Sequence, residues 1–195
     1  TNQFKTANLK GFGLDGLNEA IVAAGSILQY LEATEHKDTQ HIGSIARIDE
    51  EKYVWLDKFT IRNLELVAPN SEGGVPLIQI LDHTVTPMGS RQLRKWMVLP
   101  LKEKAAIDER LQIVSILHEQ TDLAESILSN LRPIADLERL ISKVAVGRIN
   151  PRELLQLKKS LQRIVPIKEV LSKQKSAELK KLSDQLNTCD FLIDK

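Results

Sequence analysis

Asp82, His83, Thr84 and Thr86 bring an acid, an imidazole and two hydroxyls together in one short run, the group types a proton-transfer chain requires. Sequence neighbours rarely converge on one reactive atom, and these have a different use. Pro87 follows Thr86, and a proline suits the first turn of a helix because its missing N–H would find no partner there. The expectation is that Thr86 caps a helix and that Asp82 and Thr84 hydrogen-bond at its entry. The histidines at 36, 41, 83 and 118 show no HExxH or paired-ligand spacing, and Cys189 is the only cysteine, so no zinc framework is expected. Gly73-Gly74 and Gly11-x-Gly13 match neither GxxxxGK[ST] nor GxGxxG after a strand, which argues against the familiar phosphate-binding loops. No catalytic, cofactor-binding or metal residue is assigned.

Two basic clusters remain. Arg91, Arg94, Lys95, Lys102 and Lys104 form one; Lys158, Lys159, Arg163, Lys168, Lys173, Lys175, Lys180 and Lys181 form a denser one. Phosphate contacts at Lys158, Lys159 and Arg163 are candidates. A solvated helical face explains the same charges, because no aromatic residues interleave with them to stack on bases.

The elements that must position these residues are mostly helical. From Gly16 the positions Leu17, Ala20, Ile21, Ala24, Leu28 and Leu31 follow the spacing of one buried helix stripe. Runs at 44–48, 53–56 and 63–67 carry β-branched and aromatic residues between polar clusters and predict short strands. The 69–74 loop has turn chemistry. Thr86 and Pro87 then open a helix with Leu93, Trp96 and Met97 on one face, stopped by Pro100. Ile107, Leu111, Val114 and Leu117 predict a core-facing helix, Thr121 caps the next, and Pro133 begins a third, which Gly147 ends in left-handed geometry. Asn150, Pro151 and Glu153 have the form of a capping box. Leu154, Leu157, Leu161 and Ile164 predict pairing with the preceding helix, Pro166 interrupts or kinks the chain, and helix resumes from 167 to 186. The fold class expected is mainly α, an antiparallel multi-helix core with a few short β-strands in the N-terminal third.

Size and composition set bounds. The 195 residues are 42% hydrophobic, which fits an ordered chain with a substantial core or two small ones. Net charge is +1 but uneven: residues 1–80 hold 7 basic and 11 acidic side chains, and 151–195 hold 10 and 6. A single thiol fits a reducing cytoplasmic setting. No long apolar run suggests a membrane span. The chain opens on Thr1 and ends at Lys195 without a signal of its own, and reads as an excised piece.

Several words then occur in one order. Leu81-Asp82 before the threonines and Met88-Gly89-Ser90-Arg91 opening the helix resemble the core domain of MutS-type DNA mismatch-repair proteins. Upstream, Leu9-Lys10-Gly11-Phe12-Gly13, Ala23-Ala24-Gly25 and Leu28-Gln29-Tyr30-Leu31 are similar to that family's passage from connector into core. Downstream, Asp136-Leu137-Glu138-Arg139-Leu140, Gly147-Arg148 and Pro151-Arg152-Glu153-Leu154 fall in the order of its core helices. Pro87 departs from the small residue expected there.

The resemblance implies that residues 1–13 are the end of a connector and 14–195 the N-terminal part of the core and lever domain, domain III. It implies a parent that binds mismatched double-stranded DNA, hydrolyses ATP with Mg, forms a homodimer and recruits a MutL-type protein. The mismatch-probing domain, the clamp and the ATPase lie outside this chain, and Phe12 lacks the glutamate of the family's Phe-x-Glu element. By that reading the chain has no catalysis and no cofactor of its own, no strong partner and no membrane contact. Leu93, Trp96, Leu137, Ile141, Leu154 and Leu161 are expected to matter through packing. The rival is a self-contained helical nucleic-acid-binding module using the basic 152–181 face, and an enzyme acting through Asp82 and His83 ranks third.

Overall fold

A computed structural model describes residues 3, 4, 6, 9–12, 14, 16–34, 39, 42–45 and 50–193. The chain divides into two compact units, Thr1–Asp49 with Ala145–Arg148, and Glu50–Val144 with Ile149–Lys195.

In the first unit, helix α1 (Asn18–Ala33) sets Ile21, Ala24, Leu28 and Leu31 half-buried along one stripe, as their spacing predicts, while Ala20 is exposed. A short 3-10 turn covers Lys10–Phe12. The rings of Phe4 and Phe12 meet with centroids 5.2 Å apart, and Leu14 is buried. The Gln3 side-chain amide donates to the carbonyls of Thr39 and Ile42.

The second unit begins with a 3-10 turn at Glu50–Lys52 and a six-residue helix, α2 (Lys58–Asn63), that the hydrophobic spacing does not announce. Its signal is the Asp57 carboxylate, which accepts the Thr60 N–H at 2.6 Å. Then follow α3 (Leu77–Leu81), α4 (Pro87–Val98), α5 (Lys104–Glu119), α6 (Thr121–Leu131) and α7 (Leu137–Ala145). The chain continues through α8 (Pro151–Gln162), α9 (Ile164–Ser172), α10 (Ala177–Gln185) and α11 (Asp190–Ile193).

No β-strand forms among the described residues, which corrects the expected strands. Tyr53 pairs with Leu101 as an isolated bridge, and the Val54 N–H donates to the Pro100 carbonyl at 2.8 Å, but nothing extends the ladder. At 63–67, Glu65 adopts φ 47°, a left-handed turn that no extended run accommodates. Residues 44 and 45 are irregular, and 46–48 of that expected strand lie outside the described residues.

Helix starts follow local chemistry closely. The Gly89 N–H donates to the Thr86 hydroxyl at 3.1 Å with Pro87 in the first turn, and α4 ends before Pro100. Asn150 and Glu153 make both bonds of the capping box. Gly147 has φ +67° after α7. Gly74 admits no side chain, since a Cβ there would stand 2.8 Å from that of Pro69. Three boundaries differ from expectation. Thr121 is the first residue of α6, with Gln120 in the cap position; α7 starts at Leu137, four residues after Pro133. The 167–186 helix is two, because Ser176 caps a new start at α10, and Pro166 sits harmlessly in the first turn of α9.

The core of this unit is built from Leu123, Ile134, Ile167, Leu171 and Leu179, with Ile113, Ile116, Leu117, Ile127 and Val170 packed around them. α9 lies against α6, α8 and α10, α5 lies against α6 and α10, and α8 also meets α11. The pairing expected between α7 and α8 is not the main packing of α8; the Lys143–Glu153 ion pair ties those two. Two serines, each 1% exposed, pin the helices. Ser160 accepts the Ala135 N–H, and Ser183 donates to the Lys168 carbonyl at 3.0 Å.

Candidate functional site

The residues that first suggested chemistry form a helix entry. The Asp82 carboxylate accepts the Thr84 N–H at 3.0 Å, the Thr84 hydroxyl at 2.6 Å and the Ser90 hydroxyl. These bonds, Ser90's foremost and Thr84's next, hold Asp82 below the ordinary carboxylate range. A carboxylate so stabilised is a poor proton acceptor, and His83 is exposed beside it. Among the described residues no group of three or more His, Cys, Asp or Glu could hold a metal ion. His36 and His41 fall outside those residues. No described helix is long and apolar enough to cross a membrane.

The basic residues divide by use. Arg91 forks onto two acids at the start of α7: Nη1 and Nη2 donate to Asp136 at 2.8 and 2.7 Å, and Nε donates to Glu138 at 2.8 Å. This bidentate geometry raises the Arg91 pKa and lowers that of Asp136. Lys104 pairs with Asp108, Lys181 with Glu109 at 2.6 Å, and Lys168 donates to the Leu186 carbonyl at 2.8 Å. Lys159 and Arg163 are exposed, Lys158 is half-buried, and all three belong to α8 or its C-terminal cap.

The six packing candidates occupy different environments. Leu161 is buried, Leu137 packs half-buried on the core, and Leu93 is half-buried. Trp96 is 41% exposed with the Arg110 guanidinium stacked 3.9 Å over its ring. Ile141 and Leu154 are 55% and 52% exposed. The sharpest correction concerns α5. Of the expected core stripe Ile107, Leu111, Val114 and Leu117, the first three face outward, whereas Leu117 meets the core together with Ile113 and Ile116. At 100° per residue the two sets lie on separate faces of the helix, and the neighbours α6 and α10 take the second.

Sequence reasoning missed the Arg91 fork and the Arg110 stack. No spacing signal could reveal a contact 45 residues apart. It also missed Ser160 and Ser183, although a small polar residue inside an apolar helix face is a usable hint of an interhelical hydrogen bond.

Two shallow concavities accompany these helices. One of about 420 Å³ lies between α5 and α10 beside the Lys181–Glu109 pair; the other, about 340 Å³, is lined by Gln120, Lys173, Lys175 and Ser176. The cap hydroxyl of Ser176 is already engaged with Glu178 and the Leu179 N–H.

The arrangement is one of packed rods joined by polar ties, and comparison with known proteins places the sequence in a family. Residues 59–194 match the family model described as MutS domain III. A DNA mismatch repair protein MutS from Cytophaga hutchinsonii is 56% identical over 189 residues, covering 97% of this chain and 22% of that protein. The proteins of the same name from Bacteroides fragilis and Flavobacterium psychrophilum are 50% and 47% identical, over 98% and 100% of this chain and 22% of each relative. The chain thus spans about a fifth of the length of the curated relatives it matches. With the family model covering residues 59–194, well over half of the sequence, the chain belongs to the MutS domain III family of DNA mismatch repair proteins.

Proposed function

We propose that this chain is a structural and allosteric core element, transmitting conformational change between DNA-binding and ATPase parts of a MutS-type parent without catalysis of its own. The observation that carries the reading is the Arg91 fork, which joins the start of α4 to the start of α7 across 45 residues of sequence. Rigid helices tied end to end by such contacts shift as bodies. The 16-residue α5 alone reaches roughly 24 Å at 1.5 Å per residue. Coupling of about 1–3 kcal/mol is typical of allosteric proteins, so modest repacking suffices.

In this reading residues 1–13 end a connector and 14–195 begin the core and lever domain. The parent binds mismatched duplex DNA, ATP and Mg, acts as a homodimer in the cytoplasm and engages a MutL-type protein. None of those ligands is assigned to residues of this chain.

The purified chain tests the proposal. ATP turnover at background and equal, weak, salt-sensitive binding of matched and mismatched duplex are expected. Turnover above background, or mismatch preference at moderate salt, refutes it. The rival nucleic-acid-binding module is separated by charge reversal at Lys158, Lys159 and Arg163. Loss of all duplex binding with folding intact favours the rival, and little change favours the core element.

A further inference from the structure

We propose that residues 50–102 open and close as one unit against the α5–α11 bundle, held shut by a polar clasp at Arg91 and Arg110. This opening shares the Arg91 fork with the coupling role but is tested by amide exchange, which does not read that role.

Internal ties make residues 50–102 one piece. Its ends are stitched together where the Val54 N–H donates to the Pro100 carbonyl at 2.8 Å and the Lys102 N–H donates to the Lys52 carbonyl at 3.0 Å. Its middle is stitched where Leu77 and Ile78 donate to the Glu65 and Leu66 carbonyls, each at 2.9 Å. The Ser90 hydroxyl fastens α4 to Asp82. Leu66 and Ile78 are buried, and neither belongs to the core cluster of the bundle.

The ties to the bundle are of a different kind. α4 contributes no buried residue, and of residues 50–102 only Met88 packs against the core cluster. Among the described residues, α4 is further attached by the Arg91 fork on Asp136 and Glu138 and the Arg110 stack on Trp96. Much of the fork is open to solvent: the Arg91 side chain is 48% exposed and that of Glu138 69%, while that of Asp136 is 21% exposed. Ions therefore reach and screen the clasp, whereas salt does not weaken the apolar seams among α5, α6, α9 and α10. A segment with its own hydrogen bonds and few apolar contacts across its border is the physical description of a separately opening unit. Its opening is a cooperative local unfolding in which these internal bonds break together, Met88 leaves the edge of the core and the acidic start of α7 is freed, while α5 to α11 stay folded.

Hydrogen exchange by mass spectrometry on the full chain tests this. In R91Q/R110Q the amides of α4 and of Val54 are expected to exchange roughly tenfold faster, with those of α6, α9 and α10 unchanged. Raising salt from about 0.05 M to about 0.5 M should produce the same pattern in the unsubstituted chain. Equal acceleration of α4 and α9 would show a single cooperative unit and overturn the proposal, as would α4 protection insensitive to both changes. Should the double variant fail to fold, the salt comparison decides.

Discussion

The hydroxyl of Ser160 accepts the backbone N–H of Ala135 at 3.1 Å while donating to the Gln156 carbonyl of its own helix at 2.8 Å. One buried side chain thereby satisfies the backbone where the chain approaches α7 and fixes α8 to it. Ser160→Ala leaves that N–H without its partner and is expected to cost about 1–3 kcal/mol. Urea unfolding measures it; an unchanged midpoint would mean that the N–H finds another acceptor.

Leu179 is 1% exposed within the core cluster, and Leu154 is 52% exposed on α8. Leu179→Ala is expected to destabilise the chain by about 2–5 kcal/mol through lost burial and a cavity. Leu154→Ala should change stability by less than about 0.5 kcal/mol in this chain. Equal losses would show that Leu154 is covered in solution.

Removing the caps should act locally. Thr86→Ala and Asn150→Ala are each expected to cost about 1 kcal/mol. Helix-resolved hydrogen exchange should place the first loss at the start of α4 and the second at the start of α8. A loss spread evenly over both helices would contradict the local origin.

Acid sensitivity follows from carboxylates held below their ordinary values, which include Asp57 and Glu178 as well as three with partners farther along the chain or in the helix entry. Arg91 holds Asp136 below its ordinary value of 3.8, Lys143 holds Glu153 below 4.5, and Ser90 and Thr84 hold Asp82 below 3.8. Each group has a lower pKa folded than unfolded. Its stabilising contribution is fully present above the unfolded value and is lost as pH falls through the folded one. Stability should be flat from neutrality to about pH 5 and fall steeply below about pH 4. In D136N/E153Q that fall should be shallower; an unaltered pH profile would exclude these pairs as its source.

The outward stripe of α5 shows where reading from spacing runs out. Ile107, Leu111 and Val114 repeat at helical intervals as convincingly as Ile113, Ile116 and Leu117 do, yet only the second set meets the core. Periodicity identifies a helix and its apolar faces, but a helix with two such faces leaves the choice to its neighbours. The missing strands fail for a related reason. Tyr53 and Val54 do adopt extended backbone and pair with 100–101, but a ladder needs a partner of matching length. The site was partly legible. Asp82 and Thr86 serve as entry and cap, while the fork between Arg91 and Asp136 bears no local mark.

Local sequence determined where helices begin and stop: Thr86 with Pro87, Asn150 with Glu153, Gly147 after α7. Those bonds close within about one helical turn, so the residues that make them are near neighbours in the chain. The order of distinctive words likewise fixed the family, before any coordinate was needed. Tertiary structure alone decided which face of α5 is buried, which acids receive Arg91, and that Ser160 and Ser183 lie inside. Those outcomes depend on which surfaces other helices remove from water, and that is a property of the packed chain as a whole.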